Sequence, residues 1–142
     1  MLPEIAKAII YQDASFLLQL RDDVPEIMYP NQWSFFGGGI EQDETPWQAL
    51  QREPEEELEW VPEHGTFMYD CVNPEVPCRD HFFAVPFTGN RQLLVLHEGQ
   101  ALDWFTFAEL KHVDFRGFQV EHHLIRASKC GALKSSIINA VA

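Results

Sequence analysis

The chain has 142 residues, of which 46% are hydrophobic, 13% aromatic and 23% charged. That length fits one domain, and that composition excludes a disordered chain, a collagen-like chain and a coiled-coil rod. From the length we expect a single domain, 1–142. Ten basic and 22 acidic residues give a net charge of −12, and because a nucleic acid is itself an anion, we expect no nucleic acid polymer as a partner.

Apolar and aromatic runs predict seven strands between residues 4 and 107. In chain order these strands are 4–11, 16–20, 33–36, 66–72, 81–87, 92–96 and 104–107. A turn at 12–15 and a polar, proline-bearing loop at 22–32 separate the first three. Gly37, Gly38 and Gly39 are expected to break any regular element.

Helix signals follow the glycines. Thr45 is suited to cap the helix, Pro46 stands at the first helical position, and Gln48 completes a capping box. Apolar residues recur at helical spacing after this start, at Trp47, Leu50, Pro54 and Leu58. A short helix at 108–112 and a longer one at 119–142, with Leu133, Ile137, Ile138 and Val141 on one face, complete the elements. Their order predicts an α/β fold, a mixed sheet between helices.

Cysteine usage and the N-terminal residues indicate the compartment. Cys71, Cys78 and Cys130 are too few for a disulfide framework and fit no common zinc spacing. The first residues do not resemble a signal peptide, and no apolar run reaches the roughly 18 residues that span a membrane. We therefore expect a cytoplasmic protein with reduced thiols and no membrane partner.

The acidic residues are concentrated between residues 41 and 63. This segment contains nine acids and one base, so it carries −8 of the net charge. A solvated acidic face is the ordinary interpretation of such a run. However, Glu53, Glu56 and Glu57 fall within an arc of about 100° beside the apolar stripe of the helix. Carboxylates without matching bases favour a bound cation with oxygen ligands, Mg²⁺ or Mn²⁺.

The same acids carry a resemblance to a known family, through a pattern of glycine, arginine and glutamate. Written out, the pattern is Gly-x5-Glu-x7-Arg-Glu-U-x-Glu-Glu-x-Gly-U, where U is a bulky apolar residue. The matching positions are Gly38, Glu44, Arg52, Glu53, Glu56 and Glu57. This segment resembles the Nudix box. The resemblance implies a Nudix-type α/β/α sandwich and a MutT-like, Mg²⁺- or Mn²⁺-dependent hydrolase. Its substrate would be a nucleoside diphosphate linked to another group.

The resemblance also implies roles for individual residues. Glu53, Glu56 and Glu57 would bind the metal, Glu53 would serve catalysis, and Arg52 would orient the carboxylates through ion pairs. A loop acid, Glu98, is an added metal ligand, the general base, or an ordinary solvated residue. Glu44 would support the junction of loop and helix.

The resemblance gives the three glycines before the helix a role in binding the ligand. Gly37, Gly38 and Gly39 would let the backbone turn tightly and approach a substrate phosphate. We expect specificity to lie in loops such as 22–32 and 97–103, which leaves the nucleotide undefined. The alternatives for the substrate are nucleoside triphosphates, ADP-ribose, nucleotide sugars and dinucleoside polyphosphates. The sequence also leaves undecided whether the protein forms a homodimer.

Two positions depart from the box. Pro54 replaces an aliphatic residue and removes a donor to the Leu50 carbonyl, at about 3 kcal/mol in a helix interior. This predicts a bend or a break near Leu50, with a new helical start at Pro54. Glu59 replaces glycine at the helix end, where a positive φ is costly. The departures keep open an alternative, a Nudix domain that senses a nucleotide with weak or no catalysis.

Residues outside the box offer weaker candidates. Basic residues that could hold a substrate phosphate, or be ordinary surface charges, are Lys7, Arg21 and Arg79. Aromatic residues that could stack on a base, but whose alternation favours the core, are Phe35, Phe36, Phe82, Phe83 and Tyr69. Histidines that match no metal spacing and are predicted to lie on the surface are His112, His122 and His123.

Overall fold

A computed structural model describes residues 1–117, 119–134 and 138. The strands of this part of the chain are β1 Glu4–Gln12, β2 Ser15–Leu20, β3 Trp33–Ser34, β4 Phe36–Gly39, β5 Thr66–Val72, β6 Arg79–Pro86 and β7 Ala101–Thr106. Its α-helices are α1 Pro46–Leu58 and α2 Gln119–Lys129, and short 3₁₀ helices cover Arg91–Leu93 and Glu109–His112. No described helix has the length and apolar character needed to cross a membrane.

The strands form one mixed sheet around β1. The main order is β3-β2-β1-β6-β5, with β4 paired to β1 and β7 paired to β2. Strands β1 and β6 run parallel from the Glu4–Arg79 pair to the Tyr11–Pro86 pair, and the other pairs are antiparallel. The sheet is therefore mixed, as predicted.

Alternation along β1 sends its side chains to two separate cores. Ala6 and Ala8 pack in one buried cluster with Leu50 of α1. Ile9 packs in a second cluster with Leu124 of α2. The helices thus cover opposite faces of the sheet, which confirms the predicted α/β/α arrangement.

The three glycines after Phe36 form strand β4, so the predicted break is wrong. Gly37, Gly38 and Gly39 pair with Lys7, Ala6 and Ile5 of β1. A Cβ added at Gly37 would lie 2.1 Å from the carbonyl oxygen of Ala6. Glycine is unfavourable in strands in general, but here the close approach of β1 requires it. The tight turn follows the strand instead, where Asp43 has a φ of 66°.

Helix α1 begins as the sequence predicts. Thr45 Oγ1 accepts from the Gln48 N–H at 3.1 Å, and Gln48 Oε1 accepts from the Thr45 N–H at 2.8 Å. The helix continues through Pro54 without interruption, so the predicted break and new start are wrong. Pro54 is buried in the apolar stripe, and its packing offsets the single backbone bond that the Leu50 carbonyl lacks.

Two other element predictions are wrong. Residues 92–96 do not form a strand: a 3₁₀ turn is followed by a segment that donates backbone bonds to the end of α1. Helix α2 ends at Lys129 rather than running on, and Gly131 has a φ of 86° that favours a chain reversal. Leu133 is buried as expected, whereas Ile137 and Val141 lie outside the described residues.

Candidate functional site

Arg52 is the centre of the ion-pair network on α1. Its Nε lies 2.7 Å from Glu44 Oε2, its Nη1 lies 2.8 Å from Glu53 Oε1, and its Nη2 donates to the Gly39 carbonyl at 3.0 Å. Hydrogen bonds from Arg52 and from the Glu41 backbone lower the pKa of Glu44 to about 2. The network links Glu53 to Glu44 and to the end of β4, and the orienting role of Arg52 in the reaction stays a prediction.

Glu53 lies directly against the backbone of Gly38. A Cβ added at Gly38 would lie 2.5 Å from Cδ and Oε1 of Glu53. The glycine therefore leaves the space that the carboxylate occupies, which is a packing role for this position. The predicted phosphate contact of Gly37, Gly38 and Gly39 stays a prediction.

Glu57 is the buried acid of the site. It is 5% exposed, and its Oε2 has no hydrogen-bond partner among the described residues. Burial, and then the neighbouring carboxyls of Glu53 and Glu98, raise the pKa of Glu57 well above its usual range. An unpartnered oxygen of this kind is costly to bury. A bound cation would supply the contact that Glu57 Oε2 lacks, and it would also offset the repulsion between the acids.

Glu98 reaches this site through backbone bonds to the end of α1. The His97 N–H donates to the Glu57 carbonyl at 2.8 Å, and the Val95 N–H donates to the Leu58 carbonyl at 3.2 Å. These bonds satisfy carbonyls that a helix end leaves free. They bring Glu98 beside Glu57, although the two are 41 residues apart in sequence.

The predicted ligands are only partly gathered. Glu53 and Glu98 each lie near enough to Glu57 to raise its pKa, whereas the side chain of Glu56 is 60% exposed and lies 3.6 Å from Arg52. Glu55 is exposed to solvent. Within the described ranges, no three acidic, histidine or cysteine side chains stand in ligand geometry. The carboxylates and the unpartnered Glu57 oxygen nevertheless supply the hard oxygen donors that Mg²⁺ or Mn²⁺ requires.

His123 corrects the prediction that the histidines lie on the surface. It is 5% exposed, its ring stacks on Phe82 at 4.1 Å, and its Nδ1 lies 2.9 Å from the Tyr69 hydroxyl. Burial, followed by repulsion from cationic neighbours, lowers the pKa of His123 to about 4. A signal for this was present in the sequence: Val120, Leu124 and Ala127 recur at helical spacing, and His123 falls on the same buried face of α2, whereas His122 is exposed.

The other candidates divide between core and surface. The phenylalanines predicted to be core are buried, namely Phe35, Phe36, Phe82 and Phe83. Arg79 pairs with Asp70 at 2.7 Å on the surface, and Arg21 Nε donates to the Met28 carbonyl at 2.6 Å. Lys7 lines a cavity between the sheet and α2, and burial lowers its pKa. A phosphate contact for these three bases stays a prediction.

Comparison with known proteins agrees with this geometry. The family model of the NUDIX domain matches residues 1–126. No curated protein matches the chain significantly.

Solved structures of this family share the fold. A MutT protein from Methanosarcina mazei Go1 has a TM-score of 0.72 at 17% identity, covering 89% of this chain and 93% of that one. The E. coli ORF135 protein has a TM-score of 0.67 at 27% identity, with coverages of 90% and 91%. The NUDIX domain of Shewanella oneidensis NrtR, solved with ADP ribose, has a TM-score of 0.71 at 16% identity, with coverages of 91% and 88%.

Proposed function

The chain belongs to the Nudix family, and we propose that it is a Mg²⁺- or Mn²⁺-dependent hydrolase of a nucleoside diphosphate linked to another group. The observation that carries the proposal is Glu57, a buried carboxylate with an unpartnered oxygen beside Glu53 and Glu98. A divalent cation, when bound, supplies charge neutralisation for the diphosphate and activation of the attacking water.

The protein contributes position and charge. Glu53 and Glu57 would hold the cation, with Glu56 at the exposed rim, and Arg52 keeps Glu53 oriented. Water adds its oxygen to one phosphorus, the bridging P–O bond breaks, and the other phosphate leaves with its bridging oxygen. Glu98 is the acid whose loop position suits it to accept the proton of that water, or to complete the ligand set.

The substrate is proposed to be a nucleotide. The cavity between the sheet and α2 is lined by apolar and aromatic side chains and by two polar oxygens without a partner in the described residues, Ser34 Oγ and Gln32 Oε1. An apolar pocket with a few polar groups of this kind suits the polar edge of a base. One structural neighbour was solved with ADP ribose, which places that compound in the panel to be tested. The uninterrupted helix at Pro54 removes one of the two motives for a non-catalytic sensor.

The test is release of phosphate or nucleoside monophosphate from a nucleotide panel with Mg²⁺ or Mn²⁺. We expect Glu57→Gln to lower the rate at least about 100-fold, equivalent to about 2.7 kcal/mol of the barrier. Glu55→Gln is the matched control, because Glu55 is an exposed acid of the same helix turn, and it should stay within about twofold of wild type.

Three outcomes contradict the proposal. The first is a folded wild-type protein that hydrolyses nothing in the panel. The second is an equal loss in the Glu57 and Glu55 variants. The third is tight binding of ADP-ribose or another nucleotide without turnover, which would favour the sensor instead.

A further inference from the structure

Glu59 holds a backbone conformation that favours glycine. Its φ of 57° and ψ of 37° are left-handed, and it ends α1 with its N–H donated to the Glu55 carbonyl at 3.1 Å. A side chain at such a position adds strain that glycine avoids. The structure shows one contact that a glycine there would lose: Glu59 Oε2 lies 2.5 Å from Nε2 of His97.

His97 is joined to the end of α1 twice. Its backbone N–H bonds to the Glu57 carbonyl, and its imidazole bonds to the Glu59 carboxylate. The next residue is Glu98, which lies beside the buried Glu57. We call the Glu59–His97 side-chain pair the latch. Because Glu98 follows His97 directly, a contact that holds His97 would also restrict where Glu98 lies.

We propose that Glu59 is a positioning residue that acts through His97 to hold Glu98 at the carboxylate site. The inference rests on the proposed function, because it concerns the placement of one acid of the proposed metal centre. In this chain, the left-handed strain at residue 59 accompanies a contact that orders a loop acid. Such strain persists where the surrounding structure uses it.

Three variants separate positioning from simple stability. Glu59→Gly removes the latch and also relieves the left-handed strain. Glu59→Gln keeps an oxygen that accepts from His97, so it is the conservative rescue. Asp13→Gly is the matched control: Asp13 is an exposed acid with a φ of 53° in the turn between β1 and β2. The Asp13→Gly variant loses the same charge and relieves the same kind of strain, but at a position far from His97.

The first readout is amide hydrogen exchange at His97, measured without metal. An exposed ion pair contributes about 0.2–1 kcal/mol, which is about a 1.4- to fivefold change in an equilibrium. We expect exchange at His97 to rise by about that factor in Glu59→Gly. The Tm should hold or rise in both glycine variants. Exchange at His97 should stay at the wild-type rate in Asp13→Gly and near it in Glu59→Gln.

The second readout separates kcat from KM and adds Mn²⁺ affinity from water-proton relaxation. In Glu59→Gly we expect kcat to fall about two- to fivefold and the Kd for Mn²⁺ to rise, with KM unchanged. Glu59→Gln should restore most of both losses. A variant that merely weakened the fold would lower the Tm and would not be rescued in this way.

The outcomes separate the latch from the activity. Wild-type His97 exchange in Glu59→Gly overturns the latch, whatever the activity. Faster exchange with unchanged kcat and Mn²⁺ affinity overturns the positioning role. If the wild-type protein hydrolyses nothing, the proposed function fails, and His97 exchange together with Mn²⁺ affinity still decides the inference.

Discussion

Buried titratable side chains on the two faces of the sheet differ in whether they have hydrogen-bond partners. On the α2 face, His123 bonds to the Tyr69 hydroxyl and Asp80 accepts from the Cys78 thiol at 3.4 Å. On the α1 face, Glu57 is buried to a similar degree, but its Oε2 has no partner in the described part of the protein. Buried polar groups are normally satisfied. Glu57 is therefore arranged for a ligand from outside the chain, whereas His123 and Asp80 find their partners within the fold. On the α2 face the unpartnered atoms of the described residues are neutral ones, Ser34 Oγ and Gln32 Oε1, and both residues line the cavity there.

The largest expected effects distinguish the three glycines of β4. Gly37→Ala should lower the free energy of unfolding by about 1–3 kcal/mol or more, because its Cβ would overlap the Ala6 carbonyl. Gly38→Ala should displace the Glu53 carboxylate and lower metal-dependent turnover at least tenfold with a smaller loss of stability. Gly39→Ala meets nothing within 4 Å and should be silent. Urea unfolding and steady-state rates on the same three proteins provide the check.

An equal loss of stability in all three glycine variants would contradict this account. So would a Gly38→Ala protein with wild-type turnover, since Glu53 would then not need its present position. Gly39→Ala serves as the control for introducing a methyl group into β4.

The next effect tests the α2 face through its pH dependence. The folded-state pKa of His123 is about 4, below the unfolded value of about 6.5. The unfolded chain therefore binds the extra proton first. Stability from this group is present above pH 6.5 and is lost as the pH falls toward 4. We expect about 2–3 kcal/mol to be lost across this window.

The variant His123→Gln isolates this contribution. The difference in unfolding free energy between wild type and variant, measured by urea unfolding from pH 7 to pH 4, should shrink as the pH falls. A difference that is constant over that window would show that His123 does not titrate with a depressed pKa.

The smallest effect concerns Pro54. Since α1 continues through this residue, Glu53 is already in place, and Pro54→Leu should leave kcat within about twofold of wild type. The variant returns one backbone bond to the Leu50 carbonyl, so stability should rise by about 1 kcal/mol. Thermal unfolding together with steady-state kinetics checks both statements. A large gain in turnover would restore the idea that proline misplaces the acid.

Local signals predicted the α1 face well. The capping box of Thr45 and Gln48 set the start of the helix, and the spacing of the glutamates placed Glu53 and Glu57 on one arc. Both features depend on neighbours within a few residues. The sequence also marked Glu59 as the residue where a positive φ would be costly, and the structure shows a φ of 57° there.

Long-range contacts decided what the sequence could not predict. Gly37 is a strand residue because β1 passes close to it, and β1 lies 30 residues earlier at Lys7. The apolar segment 92–96 does not pair with a strand, because the backbone N–H groups of Val95 and His97 donate to free carbonyls at the end of α1. His123 of α2 is buried because Tyr69 of β5 and Phe82 of β6 pack against its ring. None of these partners is visible in the local pattern.

The most direct test of the central claim is thermal unfolding with and without Mn²⁺ or Mg²⁺, on wild type, Glu57→Gln and Glu55→Gln. A cation that binds only the folded protein stabilises it by about 2.7 kcal/mol at 100 times its Kd. We predict that the metal raises the Tm of wild type and Glu55→Gln by several degrees and leaves that of Glu57→Gln unchanged. A wild-type Tm indifferent to millimolar Mg²⁺ and Mn²⁺ would contradict the claim that the buried Glu57 is built for a cation.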